Sequence, residues 1–145
     1  MAYMTWSEAI SVGSQSIDAE HREMMDVINQ LHVSLVASDP EDKLMKIFQR
    51  LTDCTMEHFR SEEKHFVGTD YPRATIHARK HEHLVLILGC FHTGFDTTGK
   101  RVSFEEQLDF LRDWLLDHIA TEDRRLGDYL NLQERSRSSS IEPAS

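Results

Sequence analysis

Apolar residues recur every three or four positions along most of the chain, and this spacing is typical of amphipathic helices. No stretch shows the strict alternation of a half-buried strand. The periodic segments are separated by Asp39-Pro40, by residues 68–72 and by residues 96–100, which are rich in turn-forming residues. The predicted helices run from Ile17 to about Asp39, from Pro40 through His65, from His77 to Phe95, and from Ser103 to Leu130.

Four helices of this length with short connections predict an all-α fold, an antiparallel up-down-up-down four-helix bundle. A chain of 145 residues suits one domain. We place that domain at residues 1–133, and the residues before the first helix form an N-terminal arm. The serine- and arginine-rich segment 134–145 has Ile141 as its one large apolar residue, so we expect it to be a disordered tail.

Histidine and acidic residues occupy positions on these stripes where leucine is expected. Seven such positions stand out: His21, His58, Glu62, His77, His81, His118 and Asp123. They lie early in the first and third helices or late in the second and fourth. Antiparallel packing brings those helix ends to the same level. We therefore expect the seven side chains to converge at one end of the bundle.

Asp123 is an unusual member of the set because it follows His118 by five residues. On an ideal helix Glu122, four residues on, would share the face of His118. However, Leu126 and Leu130 continue the apolar stripe at the spacing of Asp123. A single π-type turn between His118 and Asp123 would reconcile the two patterns, and such turns are frequent at functional sites. We predict that turn, with Asp123 facing the centre.

Five imidazoles and two carboxylates are a nitrogen-rich donor set for a buried binuclear metal site. Two bridging carboxylates and one solvent-derived bridging oxide or hydroxide would fill all but one of the positions around two octahedral ions. Mixed imidazole and carboxylate donors in octahedral geometry favour iron over manganese or zinc.

Charge and cysteine content indicate which partners and which cell compartment suit such a site. The net charge of −9 opposes binding to nucleic acid or to an anionic membrane surface. No stretch approaches the roughly 20 apolar residues of a membrane span. Cys54 and Cys90 are far apart and form no paired motif, which favours reduced thiols in the cytoplasm. We expect a cytoplasmic protein without membrane insertion, with a monomer favoured.

With their neighbours, these residues make the chain similar to the bacterial hemerythrins, non-haem di-iron proteins that bind dioxygen. The resemblance extends from about Trp6 to Leu130. It rests on Val12-Gly13, Ile17-Asp18-x-x-His21, His58-Phe59-x-x-Glu62-Glu63, Tyr71-Pro72, His77-x-x-x-His81 and Trp114-Leu115-x-x-His118-Ile119, with Asp123 at the end.

The resemblance implies two iron ions joined by carboxylate and oxo or hydroxo bridges. It assigns His77, His81 and His118 to one iron, His21 and His58 to the other, and Glu62 and Asp123 to the bridges. It also implies an apolar oxygen pocket, for which Ile119, Phe59, Trp6 and Trp114 are the candidates. The chain departs from the family pattern at one position next to a predicted ligand. Glu20 precedes His21, where the family usually has glutamine.

The function implied is reversible dioxygen binding for oxygen storage, transport or delivery, for example to an oxygen-consuming enzyme. Two alternatives stay open: an oxygen or redox sensor that signals through a partner, and a di-iron oxidase, peroxidase or ferroxidase. We expect a binding protein rather than an enzyme, because the chain lacks the carboxylate-rich motifs of ferritin-like di-iron proteins. Weak oxidase or peroxidase activity is left open.

Overall fold

The chain folds into four antiparallel helical columns, which confirms the predicted all-α bundle. The computed structural model describes residues 2–141, with side chains as far as residue 137. Its main helices are α1 (Gln15–Val36), α2 (Glu41–Thr69), α3 (Ala74–His92), α4 (Phe104–His118) and α5 (Arg124–Ile141). The π-helical segment Ile119–Asp123 joins α4 to α5, so these three form the fourth column. Within residues 2–141 the only β-type pairing is an isolated bridge between Phe95 and Arg101.

Local sequence signals set the helix ends. Ser103 caps α4, since its hydroxyl accepts a hydrogen bond from the Glu106 backbone N–H at 3.2 Å and lies 3.3 Å from the Glu106 carboxylate. Helix α2 ends at Thr69, and the next residue, Asp70, has a left-handed φ of 52°. Helix α3 ends at His92, three residues before the predicted end at Phe95. That prediction was wrong because Phe95 leaves the helix to bond with the loop that returns to α4.

The core is a continuous stack of apolar side chains between the columns. Helix α1 packs against α2 and α4, and α2 packs against α3. In the half of the bundle away from the predicted site, the buried residues are almost all apolar, among them Ile28, Leu31, Phe48, Leu51, Leu88, Leu108 and Leu111. We call this half the apolar half. None of the described helices combines the length and the hydropathy needed to span a membrane.

The N-terminal arm, a segment of about a dozen residues before α1, is fixed to the bundle at several points. The backbone of Met4 exchanges two hydrogen bonds with the side chain of Asn29, at 2.7 and 2.9 Å. The backbone N–H of Val12 donates to Asp18 at 2.9 Å. Gly127 of α5 lies so close to the arm that a Cβ there would be 1.9 Å from the Val12 carbonyl oxygen. The arm is therefore a packed part of the domain.

The expected disordered tail is wrong for residues 134–141, because α5 continues to Ile141. Extending a helix that already exists avoids the cost of nucleation, so polar residues such as Glu134 and Arg135 can be helical while exposed. Residues 142–145 lie outside the described part of the chain. The division between a domain and a tail at residue 133 stays a prediction, and α5 runs through that position without a break.

Candidate metal centre

The seven predicted side chains do meet at one end of the bundle, and all are buried. The Nε2 atom of His21 lies 2.8 Å from a carboxylate oxygen of Asp123, and His77 and His118 reach the other oxygen at 3.0 and 3.1 Å. Glu62 is approached by the Nε2 atoms of His81, His58 and His77 at 3.1, 3.3 and 3.4 Å. The predicted convergence is therefore confirmed as geometry.

The donor atoms divide into two overlapping groups. One contains His77, His81 and His118, and the other contains His21 and His58. Glu62 and Asp123 belong to both groups, and within each group the donor atoms lie within 4.8 Å of one another. Two carboxylates shared between two clusters of imidazoles is the arrangement expected where carboxylates bridge two neighbouring ions.

The π-helical segment places Asp123 in this cluster. It spans Ile119–Asp123, as the conflict between the helical and apolar periods predicted. After the wide turn, Leu126 is fully buried and Leu130 packs against the core, so the stripe resumes in the register of Asp123. Asp123 therefore faces the cluster, as predicted, and its role as a ligand stays a prediction.

The polar atoms of the cluster fit a metal ion better than they fit one another. Several of them are buried without a hydrogen-bond partner, although neighbouring donors are close. These atoms are Nε2 of His21 and His58 and all four carboxylate oxygens of Glu62 and Asp123. Because these nitrogen and oxygen atoms are close together but lack hydrogen-bond geometry, we infer that they point to a common centre between them. A buried polar group left unsatisfied costs about 1–3 kcal/mol. The cluster is therefore suited to binding metal, which would satisfy these atoms.

The electrostatics of the cluster favour anionic carboxylates. Burial acts to raise the pKa of Glu62, but the nearby imidazoles outweigh it and lower the pKa to about 2. The same balance holds the pKa of Asp123 well below its usual range. Burial lowers the pKa of His81 to about 4, so this ring is neutral at pH 7 and free to bind metal.

Two other imidazoles hold protons that an incoming metal ion must displace. Burial opposes charging of His58, but its hydrogen bond to Glu20 and the nearby Glu62 carboxylate raise the pKa to about 10. His77, near Asp123 and Glu62, has its pKa raised to about 9 despite burial. Metal binding should therefore release protons.

Glu122, which geometry on an ideal helix would have chosen as the ligand, has a different role. Its side chain is fully buried and is held by three cations. Arg73 donates two hydrogen bonds at 3.0 and 3.1 Å, Lys80 donates one at 2.7 Å and Arg125 donates one at 2.9 Å. Helical periodicity does not predict this network, because the three cations come from two helices and one loop.

Aromatic rings line one side of the cluster. Phe59 stacks on His81 with ring centroids 3.7 Å apart, and Trp114 stacks on His118 at 4.5 Å. Ile119 is buried beside His118. A surface groove of about 440 Å³, lined in part by Trp114, reaches the edge of His118. Trp6 lies instead on the arm, with the guanidinium carbon of Arg22 4.4 Å from its ring centroid, so its place in an oxygen pocket stays a prediction.

The remaining histidines lie outside both donor groups. His92 is within 2.9 Å of the Thr52 hydroxyl, and His32 stacks on Tyr3 at 4.3 Å. His83 is exposed and His65 is half-buried. These four side chains therefore face solvent or contact neighbouring segments of the chain.

A family model described as the hemerythrin HHE cation binding domain matches residues 12–130. A bacteriohemerythrin of Methylococcus capsulatus is 29% identical over 132 residues, which cover 90% of this chain and 99% of that protein. A bacteriohemerythrin of Stenotrophomonas maltophilia is 28% identical, with 88% of this chain and 82% of that protein covered.

Solved structures give the same result. The crystal structure of a wild-type hemerythrin superposes with a TM-score of 0.77 at 28% identity, covering 89% of this chain and 98% of that one. A single-residue variant of a hemerythrin gives a TM-score of 0.78, with 90% and 98% covered.

Proposed function

The chain belongs to the hemerythrin family, and from that premise we propose that it binds dioxygen reversibly at a centre of two iron ions. The observation that carries the proposal is the pair of donor groups that share Glu62 and Asp123. In this proposal His77, His81 and His118 hold one iron, while His21 and His58 hold the other. The two carboxylates bridge the ions.

The unequal number of imidazoles determines where an external ligand would bind. The two-histidine position has one protein donor fewer, so it is the position with room for dioxygen. Two ferrous ions held by these residues would together supply the two electrons that dioxygen takes up on binding and returns on release. Phe59 and Trp114 stack on His81 and His118, so with the buried Ile119 they cover the three-histidine side of the cluster with apolar surface.

The buried residues favour binding over enzymatic turnover. Outside the cluster, the only other buried carboxylate among the described residues is Glu122, and three cations hold it in place. Among the described residues, no spare fully buried carboxylate therefore lies beside the centre to move protons for a second substrate. We propose storage or delivery of oxygen, with an oxygen-consuming enzyme as the recipient. A reducing cytoplasm suits the two free cysteines.

Anaerobic loading with ferrous iron tests the proposal. Iron per chain is measured first, and the visible spectrum is then followed through repeated exposure to and removal of oxygen. We expect two irons and a coloured species that appears with oxygen and disappears without it. Permanent conversion to a ferric state, or sustained turnover with an electron donor, would favour the sensor or oxidase alternatives instead.

Two alanine variants serve as a matched pair in that experiment. His118→Ala removes a donor of the cluster, and His92→Ala removes an interhelix histidine that contacts Thr52. Loss of iron and colour is expected only for His118→Ala. Equal iron content and oxygen response in both variants would contradict the ligand assignment.

A further inference from the structure

The outer ring nitrogens of the clustered histidines do not have equal surroundings. Nδ1 of His58 donates a hydrogen bond to the Glu20 carboxylate at 2.6 Å. By contrast, Nδ1 of His21, His77 and His81 is buried without a partner. Among the described residues, His58 is the one member of the cluster with a carboxylate at its outer nitrogen. An outer carboxylate is thus present on one side of the cluster, next to His58.

Glu20 is built to act on that ring. Its second carboxylate oxygen accepts a hydrogen bond from the Ser61 hydroxyl at 2.9 Å, which fixes the orientation of the carboxylate. Its side chain is 29% exposed, and no lysine or arginine pairs with it in the described part of the chain. No cation therefore cancels its charge, and that charge is directed to His58.

An anionic acceptor at the outer nitrogen changes how an imidazole binds metal. It holds the proton on Nδ1, which leaves Nε2 as the metal donor, and it increases the basicity of the ring. A more basic ring stabilises the more highly charged state of the metal it binds. In the two-iron arrangement proposed above, His58 belongs to the two-histidine position, so the effect of Glu20 falls on the position with room for dioxygen.

We propose that Glu20 is a positioning residue that orients His58 and, by its negative charge, biases the two-histidine metal position towards the ferric state. This inference rests on the proposed di-iron function. Its consequence is that Glu20 sets the balance between reversible oxygen binding and permanent oxidation.

Three variants separate the two effects of Glu20. Glu20→Gln has a similar shape and keeps an acceptor for His58 but removes the charge. Glu20→Ala removes both the acceptor and the charge. Glu23→Gln is the control, because it makes the same charge change on an exposed residue of the same helix.

Reduction potential is the first measurement. For Glu20→Gln we expect the ferric-over-ferrous preference to fall about tenfold, which corresponds to about 59 mV for a one-electron couple. For Glu23→Gln we expect the potential of the unchanged protein. A Glu20→Gln protein with an unchanged potential would overturn the inference.

Zinc provides a second measurement that needs neither iron nor oxygen. In the zinc-loaded protein, the Nδ1 proton of His58 should give a strongly downfield NMR signal that is lost in Glu20→Ala. The same variant should bind one of its two zinc ions 10–100-fold more weakly. Unchanged zinc affinity in a Glu20→Ala protein with normal helical content would refute the positioning role.

These outcomes distinguish a failure of the proposed role of Glu20 from a failure of the proposed oxygen-binding function. If the unchanged protein binds two irons and cycles with oxygen while both Glu20 variants behave like it, only the role of Glu20 fails. If the unchanged protein takes up two zinc ions with the expected His58 signal but never responds to oxygen, the proposed function fails and the positioning role of Glu20 stands.

Discussion

The two halves of the bundle use the same four amphipathic stripes for opposite purposes. In the apolar half, side chains such as Phe48, Leu51 and Leu108 fill the interior with apolar contacts. In the other half, the same inward positions carry five imidazoles and two carboxylates, several of whose atoms lack hydrogen-bond partners. Unsatisfied buried groups cost stability, so the apolar half must supply most of the free energy of folding. The difference shows how a bundle can keep a buried polar site whose atoms lack hydrogen-bond partners.

The strongest test of this division removes a shared carboxylate. Glu62→Ala takes away a donor that belongs to both groups, so we expect iron content to fall from two per chain to one or none. The metal-free protein should stay folded, because the apolar half is intact. Iron analysis and circular dichroism measure the two outcomes.

The neighbouring half-buried carboxylate supplies the control for that variant. Glu63→Ala should keep two irons, since Glu63 is in neither donor group. If Glu62→Ala also retained both irons, the shared-carboxylate arrangement would be wrong.

A cavity in the apolar half should have the reverse effect. Phe48 is 1% exposed, and Phe48→Ala should lower the free energy of unfolding of the metal-free protein by about 3–5 kcal/mol. Iron stoichiometry at low temperature should be unchanged. Urea unfolding measures the first quantity, and a parallel loss of iron from the folded variant would show that the halves are not independent.

The buried ion network beside the cluster should matter less than the apolar core. Breaking a fully buried ion pair costs about 3–5 kcal/mol, but Arg73, Lys80 and Arg125 are 37–51% exposed and can regain water. We therefore expect Glu122→Gln to lower the free energy of unfolding by about 1–3 kcal/mol, with iron content unchanged.

The exposed pair of Glu57 and Arg60 is the comparison for this effect. Glu57 is 84% exposed and lies 3.9 Å from Arg60, so Glu57→Gln should change the stability by less than about 0.5 kcal/mol. Equal losses in the two variants would mean that burial of Glu122 adds nothing.

The smallest predicted effect concerns Cys54, at the boundary between the halves. Burial, with the nearby Glu23, raises the pKa of this thiol from 9.0 to about 11. In a Cys90→Ser background, thiol alkylation at pH 8 should be about 100-fold slower than in the unfolded chain. The rate should reach half of its maximum only near pH 11.

The raised pKa of Cys54 also makes stability depend on pH. The folded state binds the Cys54 proton more tightly than the unfolded state, so the contribution is present below pH 9 and is lost as the pH rises towards 11. An alkylation profile with its midpoint near 9 would contradict the burial of this thiol.

Periodicity was sufficient to predict the bundle, the end at which the seven side chains meet, and the π turn before Asp123. It succeeded because antiparallel packing places the start of one helix level with the end of its neighbour. Leu126 and Leu130 also show which face of the helix points inward after the turn. The end of α3 and the helical course of residues 134–141 were not predicted. Polar residues at a helix end form no apolar stripe from which a helix could be recognised. The partners of Glu20 and Glu122 were also missed, because contacts between helices depend on side-chain directions that spacing does not give.

The π-helical segment affects how this chain can change in length. It acts as a one-residue insertion that is absorbed within one turn of the fourth column. Deleting the exposed Ala120 would leave four steps from His118 to the aspartate and restore a regular period, with Leu126 still facing inward. An insertion or deletion elsewhere in the column would rotate everything after it by about 100°. We therefore expect evolution and protein engineering to find single-residue length changes tolerated here and rejected along the rest of this helix.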